Sequence, residues 1–83
     1  MNDAALTLVL QGKLREAFNR PALDYNPATM MRDILGFDSV QFIMTILALE
    51  TAFDIQLHED EVDSIYSMGD IFRVLRAKVA NGG

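Results

Sequence analysis

The stretch Gly36-Phe37-Asp38-Ser39-Val40-Gln41-Phe42-Ile43-Met44 reads as the opening of a helix, and the rest of the chain is organised around it. Asp38 is a good N-cap, and Gln41 three residues later completes a capping-box pattern. Phe37 before the cap and Phe42 at the fourth helical position are spaced for a hydrophobic staple. The apolar run through Leu49 and Ala52 to Phe53 contains no Gly or Pro to interrupt it. Ser39 therefore falls in the first turn, where the peptide dipoles are positive and backbone N–H groups lack partners. A phosphoryl group on that hydroxyl would lie in a favourable field.

At roughly 100° per residue, Phe42, Ile46, Leu49 and Phe53 share one face of this helix and form a core stripe. Val40, Ile43, Met44 and Leu47 form a second apolar stripe on the Ser39 side, bordered by Glu50 and Asp54. A helix that is apolar on two sides is either fully buried or keeps one side for a partner. Pattern alone favours burial; the acidic edge and the adjacent serine favour a partner.

The chain has 83 residues, half of them hydrophobic, which predicts one small domain spanning 1–83. No apolar run is long and clean enough to cross a bilayer, so no membrane insertion is expected. The N-terminus lacks a basic start and a small-residue cleavage site, which makes a cytoplasmic protein the expectation. Absence of cysteine excludes disulfides, thiolate metal sites and cysteine nucleophiles. A net charge of −5 argues against nucleic acid as a partner. Met1 and the lack of linkers read as a freestanding chain, and a monomer is the default.

Asn2 or Asp3 can cap a first helix in which Leu6, Val9, Leu10, Leu14 and Ala17 recur at helical spacing, with Gln11, Lys13, Arg15 and Glu16 opposite. Between Asn19 and Asn26 the pattern breaks at Pro21 and several turn formers, giving a long irregular first loop. Asn26-Pro27 is a cap followed by a proline suited to a first helical position, so a short helical turn is expected through Met30–Leu35. Leu23, Tyr25, Met30, Met31, Ile34 and Leu35 can pack such a loop. Ile55–His58 reads as an extended connector. Glu59, Asp60, Glu61 and Asp63 around Val62 and Ile65 suggest a short acidic helix, and they lack the spacing of a Ca²⁺ loop. Ser67 and Asp70 repeat the capping-box idea, with aspartate as a weaker stand-in for glutamate. Ile71, Phe72, Val74, Leu75 and Val79 then make a last amphipathic helix with Arg73, Arg76 and Lys78 outside, closed by Asn81-Gly82-Gly83. Three long helices and one or two short ones, with no convincing strand, predict an all-α bundle.

Leu35-Gly36-Phe37-Asp38-Ser39-Val40 resembles the Asp-Ser-Leu signature of acyl carrier proteins. Leu49-Glu50, Ala52-Phe53-Asp54-Ile55, Glu59-Asp60, Ile65 and Ser67-Met68-Gly69-Asp70 continue the family's pattern without a gap. The resemblance implies a small four-helix bundle of acyl-carrier type, with three long helices, one short and a long first loop. It implies a non-enzymatic carrier with no catalytic residues and no metal. In the family, a phosphopantetheinyl transferase moves 4′-phosphopantetheine from coenzyme A onto the serine matching Ser39, and the arm's thiol holds acyl groups as thioesters. The aspartate matching Asp38 is associated with presenting that serine. Acyl chains can enter the space between helices, for which Phe42, Ile46, Leu49, Phe53, Ile65 and Ile71 are the implied lining; simple core packing explains the same residues. Further partners would be the ligases, synthases or transferases that load and unload acyl or aminoacyl groups in fatty-acid, polyketide, peptide or lipid-tailoring biosynthesis.

The chain departs from the family where fatty-acid carriers have a strongly acidic partner helix. Here the corresponding positions include Gln41, Met44, Thr51 and Ala52, leaving Glu50 and Asp54. Exposed charge pairs mostly set encounter rate and partner choice. The expected partner face, Val40, Ile43, Met44 and Leu47 with Glu50 and Asp54, is therefore more hydrophobic and suits a specialised carrier. Three alternatives lie outside this reading. A hydrolase built on Ser39 would need His58, the one histidine, as its base. A ubiquitin-like sulfur carrier would share the Gly82-Gly83 end but needs alternating strands. An unmodified helical interaction module could use the Val40–Leu47 stripe directly.

Overall fold

The structure, a computed structural model, describes residues 2–35 and 38–80. Five helices follow one another: α1 (Asp3–Phe18), α2 (Met31–Leu35), α3 (Ser39–Phe53), α4 (Glu59–Asp63) and α5 (Met68–Ala80). Three are long and two short, an all-α arrangement as expected. Among the described residues the sole β-type pairing is an isolated antiparallel bridge between Met30 and Ser67. The expected staple partner Phe37 and the closing Asn81-Gly82-Gly83 lie outside the described residues.

Helix α1 begins where Asn2 accepts the Ala5 N–H at 2.8 Å and ends at Asn19, which takes the left-handed conformation. Its buried stripe is Leu6, Leu10 and Leu14, narrower than the periodicity suggested, because Val9 faces partly outward. Two residues assigned to its solvent face instead hold the first loop. Gln11 accepts the Tyr25 N–H, while Arg15 donates from Nε to the Leu23 carbonyl at 2.6 Å and from Nη2 to Asp24 at 3.1 Å. A long loop in a small domain must have its backbone polar groups satisfied somewhere, and these side chains do it.

Asn26-Pro27 makes a turn rather than the start of α2. Asn26 accepts the Ala28 N–H with its side chain and the Thr29 N–H with its carbonyl, and α2 begins only at Met31. The intervening residues cross the start of α5. Gly69 N–H donates to Pro27 O at 3.1 Å, Met68 N–H to Thr29 O at 2.9 Å and Met31 N–H to Tyr66 O at 2.8 Å. A Cβ on residue 69 would sit 2.9 Å from Pro27 O, so only glycine permits this approach.

Helix α1 packs against α3 and α5. Leu10, Leu14, Met31, Ile46, Leu49, Ile65, Met68, Ile71, Val74 and Leu75 form the core, with Leu23, Tyr25, Ile34, Phe42, Phe53 and Phe72 packed against it. Burial of Tyr25 pushes its phenol pKa up. Helix α4 forms over the acidic stretch, its Glu61 carboxylate accepting the His58 N–H at 3.0 Å and pairing with Lys78 at 2.9 Å. Lys78, assigned to the outside of the last helix, is thus largely covered and ties α5 to α4. The His58 N–H first, and Lys78 second, lower the Glu61 pKa.

The capping box at α5 forms in full. Asp70 N–H donates to Ser67 Oγ, and Asp70 Oδ2 accepts both the Ser67 and the Tyr66 N–H groups, at 3.1 and 2.9 Å. The Tyr66 N–H above all, with the Ser67 groups and nearby Arg73, holds the Asp70 carboxyl below its ordinary value. Stabilisation of this kind is present above the unfolded-state value and is lost as pH falls through the folded one. Asp70→Ala should therefore cost about 1 kcal/mol at neutral pH. It should also flatten the loss of stability below about pH 4. Urea unfolding across that range checks both effects.

Candidate functional site

The site is built at the N-terminus of α3. Asp38 stands as the N-cap in an extended conformation (φ −78°, ψ 96°), and its Oδ1 accepts the Gln41 N–H at 3.0 Å. Its carbonyl accepts the Phe42 N–H at 3.2 Å. Ser39 is the first residue of the helix and is exposed, as is Asp38. No acidic side chain occupies the first turn of α3, so beyond the Asp38 cap the positive end of the helix is not offset from within that turn. An exposed hydroxyl in such a place fits a group that brings a phosphodiester charge.

The expected capping box is only half formed. Gln41 does not turn back to the cap; its Nε2 donates to Ala17 O, near the end of α1, at 3.0 Å. The Gln41 carbonyl accepts from Thr45 Oγ1 at 2.8 Å, which satisfies the one buried polar side chain among the described residues. Periodicity gives no hint of either contact.

The two apolar stripes of α3 separate cleanly. Ile46 and Leu49 are buried and Phe42 and Phe53 half-buried against the core, together with Ile65 and Ile71. The implied lining residues are thus brought together in one cluster. Val40, Ile43, Met44 and Leu47 are 65, 56, 59 and 56 % exposed. Burial of both stripes, favoured by pattern alone, does not occur: one side of α3 packs against α1 and joins the core that α1 and α5 share, while the other stripe stays exposed. Met44 and Leu47 also wall a shallow groove of about 570 Å³ against α1, whose lining includes Ala17, Ala48 and Ala52.

The two residues of the acidic edge differ in exposure. Asp54 is exposed and caps α3 through its backbone N–H in the left-handed conformation (φ 52°), not through its carboxylate. Glu50 is half-buried and its Oε2 accepts the Leu57 N–H at 2.8 Å. That bond also pins the connector at the level of Glu50, about 16 Å of helix away from Ser39. His58 follows directly, after the C-terminal end of α3, whereas Ser39 stands at the N-terminal end. Among the described residues no group of three or more His, Cys, Asp or Glu side chains gathers as metal ligands would, and no helix is long and apolar enough to cross a membrane.

The family described as phosphopantetheine attachment site matches residues 9–72. An acyl carrier protein of Clostridium acetobutylicum is 38% identical over 45 residues, which cover 54% of this chain and 58% of the relative. One of Syntrophobacter fumaroxidans is 37% identical over 49 residues, 59% of this chain and 60% of the relative. One of Desulforapulum autotrophicum is 31% identical over 55 residues, 66% of this chain and 71% of the relative. The chain thus spans less than two thirds of the first two of these relatives.

Because Asp38 supplies the cap bond at the head of α3, Asp38→Ala should lower stability by about 1 kcal/mol, and Asp38→Asn by much less. Thermal and urea unfolding of the two variants measures the difference.

Proposed function

The chain belongs to the acyl carrier protein family of phosphopantetheine attachment domains, and we propose on that premise that it carries acyl or aminoacyl groups on a 4′-phosphopantetheine arm esterified to Ser39. The observation that carries this reading is an exposed hydroxyl at the first residue of α3, capped by Asp38 and with no acidic side chain in the turn around it. Esterification would join Ser39 Oγ to phosphorus and break the phosphorus–oxygen bond to the nucleotide half of coenzyme A. The hydroxyl proton would pass to a base of the transferase. Once attached, the arm supplies a thiol that holds cargo as a thioester, which suits a chain without cysteine. The chain's own residues would present the hydroxyl and dock its partners; no catalytic residue of its own is needed.

Partner enzymes would be met by Val40, Ile43, Met44 and Leu47, with Asp54 and part of Glu50 at the edge. The exposure of these four apolar side chains supports a docking face that works chiefly by apolar contact. A more acidic helix would rely on charge, which is screened by salt. Phe42, Ile46, Leu49, Phe53, Ile65 and Ile71 would line the space opened to an acyl chain, giving up some core packing to do so. A cytoplasmic carrier serving a specialised polyketide, peptide, lipid-tailoring or aminoacyl-transfer route fits this face better than general fatty-acid synthesis. The alternative, an unmodified interaction module using the Val40–Leu47 stripe, is favoured by the same exposure.

Incubation with coenzyme A and a broad-specificity phosphopantetheinyl transferase separates the two readings. The wild type should gain the mass of one phosphopantetheine and Ser39→Ala none, with the helical circular dichroism of both unchanged; loading of Ser39→Ala would reject the assignment. Met44→Glu should shift preference, across a panel of partner enzymes, toward those with basic docking patches, while an unchanged ranking would show the position to be idle.

A further inference from the structure

We infer that Gln41 is a positioning residue for transfer to Ser39: its side-chain amide ties the first turn of α3 to the last turn of α1 and so sets the direction in which the hydroxyl is presented. The inference rests on Ser39 being the attachment site. Every hydrogen-bonding branch of Gln41 that reaches a partner serves this junction. Its N–H donates to Asp38 Oδ1 at 3.0 Å, its Nε2 to Ala17 O at 3.0 Å, and its carbonyl accepts from buried Thr45 at 2.8 Å. One residue thereby links the cap beside Ser39, the interior of α3 and a different helix, across a sequence separation of 24.

The end of α1 explains why the link forms. Where the chain leaves α1 at Asn19, the N–H groups of Asn19 and Arg20 return to the carbonyls of Glu16 and Arg15, at 3.3 and 3.0 Å. The Ala17 carbonyl receives a side-chain donor instead, from Gln41. Terminal carbonyls of a helix need such partners, and they form its negative end. An amide can donate there; a carboxylate cannot, and would face that negative end. The neutral residue at position 41, where an acidic partner helix would be expected, is accounted for by this intramolecular contact.

Among the described residues this is the one side-chain hydrogen bond between the first turn of α3 and α1. Its removal leaves the exposed docking stripe in place but frees the Ser39 turn to shift against the rest of the domain. Misplacement of a reacting group lowers the rate of the chemical step more than it weakens binding.

The test uses the full chain, saturating coenzyme A and a broad-specificity phosphopantetheinyl transferase, with loading followed by mass. Gln41→Met keeps length and apolar area but removes the donor, while Gln41→Lys restores a donor suited to the negative end of α1. Gln41→Met should lower kcat about tenfold with KM for the carrier within about twofold, and Gln41→Lys should recover most of kcat. Matched helical circular dichroism would accompany both results. Unchanged kcat in Gln41→Met, or a Gln41→Lys variant as slow as Gln41→Met, would overturn the positioning role while leaving Ser39 as the attachment site. A wild type that takes up nothing would instead overturn the attachment site itself, and this inference with it.

Discussion

Helix α3 is covered on one side only, and most of the structure follows from that. Helices α1 and α5 are the long elements available to pack the core around it, while α2 and α4 have five residues each. The core shared with α1 and α5 buries one stripe of α3, and the described residues contain no further long helix to cover the other. Burying a large aliphatic side chain is worth roughly 1.5–3 kcal/mol. Leaving Val40, Ile43, Met44 and Leu47 in water thus forgoes an amount comparable with the whole stability of a typical small domain. Ser39 stands beside Val40 in the first turn of α3, and it is exposed there.

Polar side chains hold the ends that the core does not reach. Gln11 and Arg15 fasten the first loop to α1, Gln41 closes the α1–α3 junction, Glu50 secures the connector after α3, and Asp70 gathers two N–H groups before α5. Among the described residues no buried side-chain nitrogen or oxygen is left without a partner. Each bond is modest in isolation, yet leaving the corresponding buried backbone group unpaired would cost about 1–3 kcal/mol. Thin cores therefore place heavy demands on such fastenings.

This division explains what the sequence made legible. The caps at Asn2, Asp38 and Ser67–Asp70 were readable because donor and acceptor lie three residues apart, so spacing alone carries the information. The helices that follow them could be placed for the same reason. Gln11, Arg15, Gln41, Glu50 and Lys78 were not readable in their actual roles. A polar residue facing water and one reaching across to another segment leave the same mark on hydrophobic periodicity. Asn26-Pro27 was legible in part: the helical turn expected through Met30–Leu35 forms as α2, but Pro27 lies in a separate turn whose carbonyl pairs with Gly69 and does not open that helix. For α3 the period located both stripes correctly, but which one is buried depends on how many neighbours exist, a property of the whole chain. At the site, the head of the helix and its serine were legible; the bracing of that head against α1 was not.

On the proposed reading, an apolar docking face also answers a kinetic demand. A carrier must bind one enzyme, release it and bind the next, so its interfaces belong at the small end of the range, below about 1,200 Å² in total. Four exposed side chains on one helix suit that scale. Affinity differences among related complexes lie mostly in the off-rate, and a compact patch keeps that rate high. Partner choice must then come from shape and from the few charges left at the edge. Only Glu50, half-buried and accepting the Leu57 N–H, and exposed Asp54 border the stripe with charge, so long-range steering rests on two carboxylates. Discrimination would rest on whether a partner's surface fits Val40, Ile43, Met44 and Leu47 while leaving Ser39 within reach, which makes the geometry of the first turn of α3 the quantity that both docking and loading depend on.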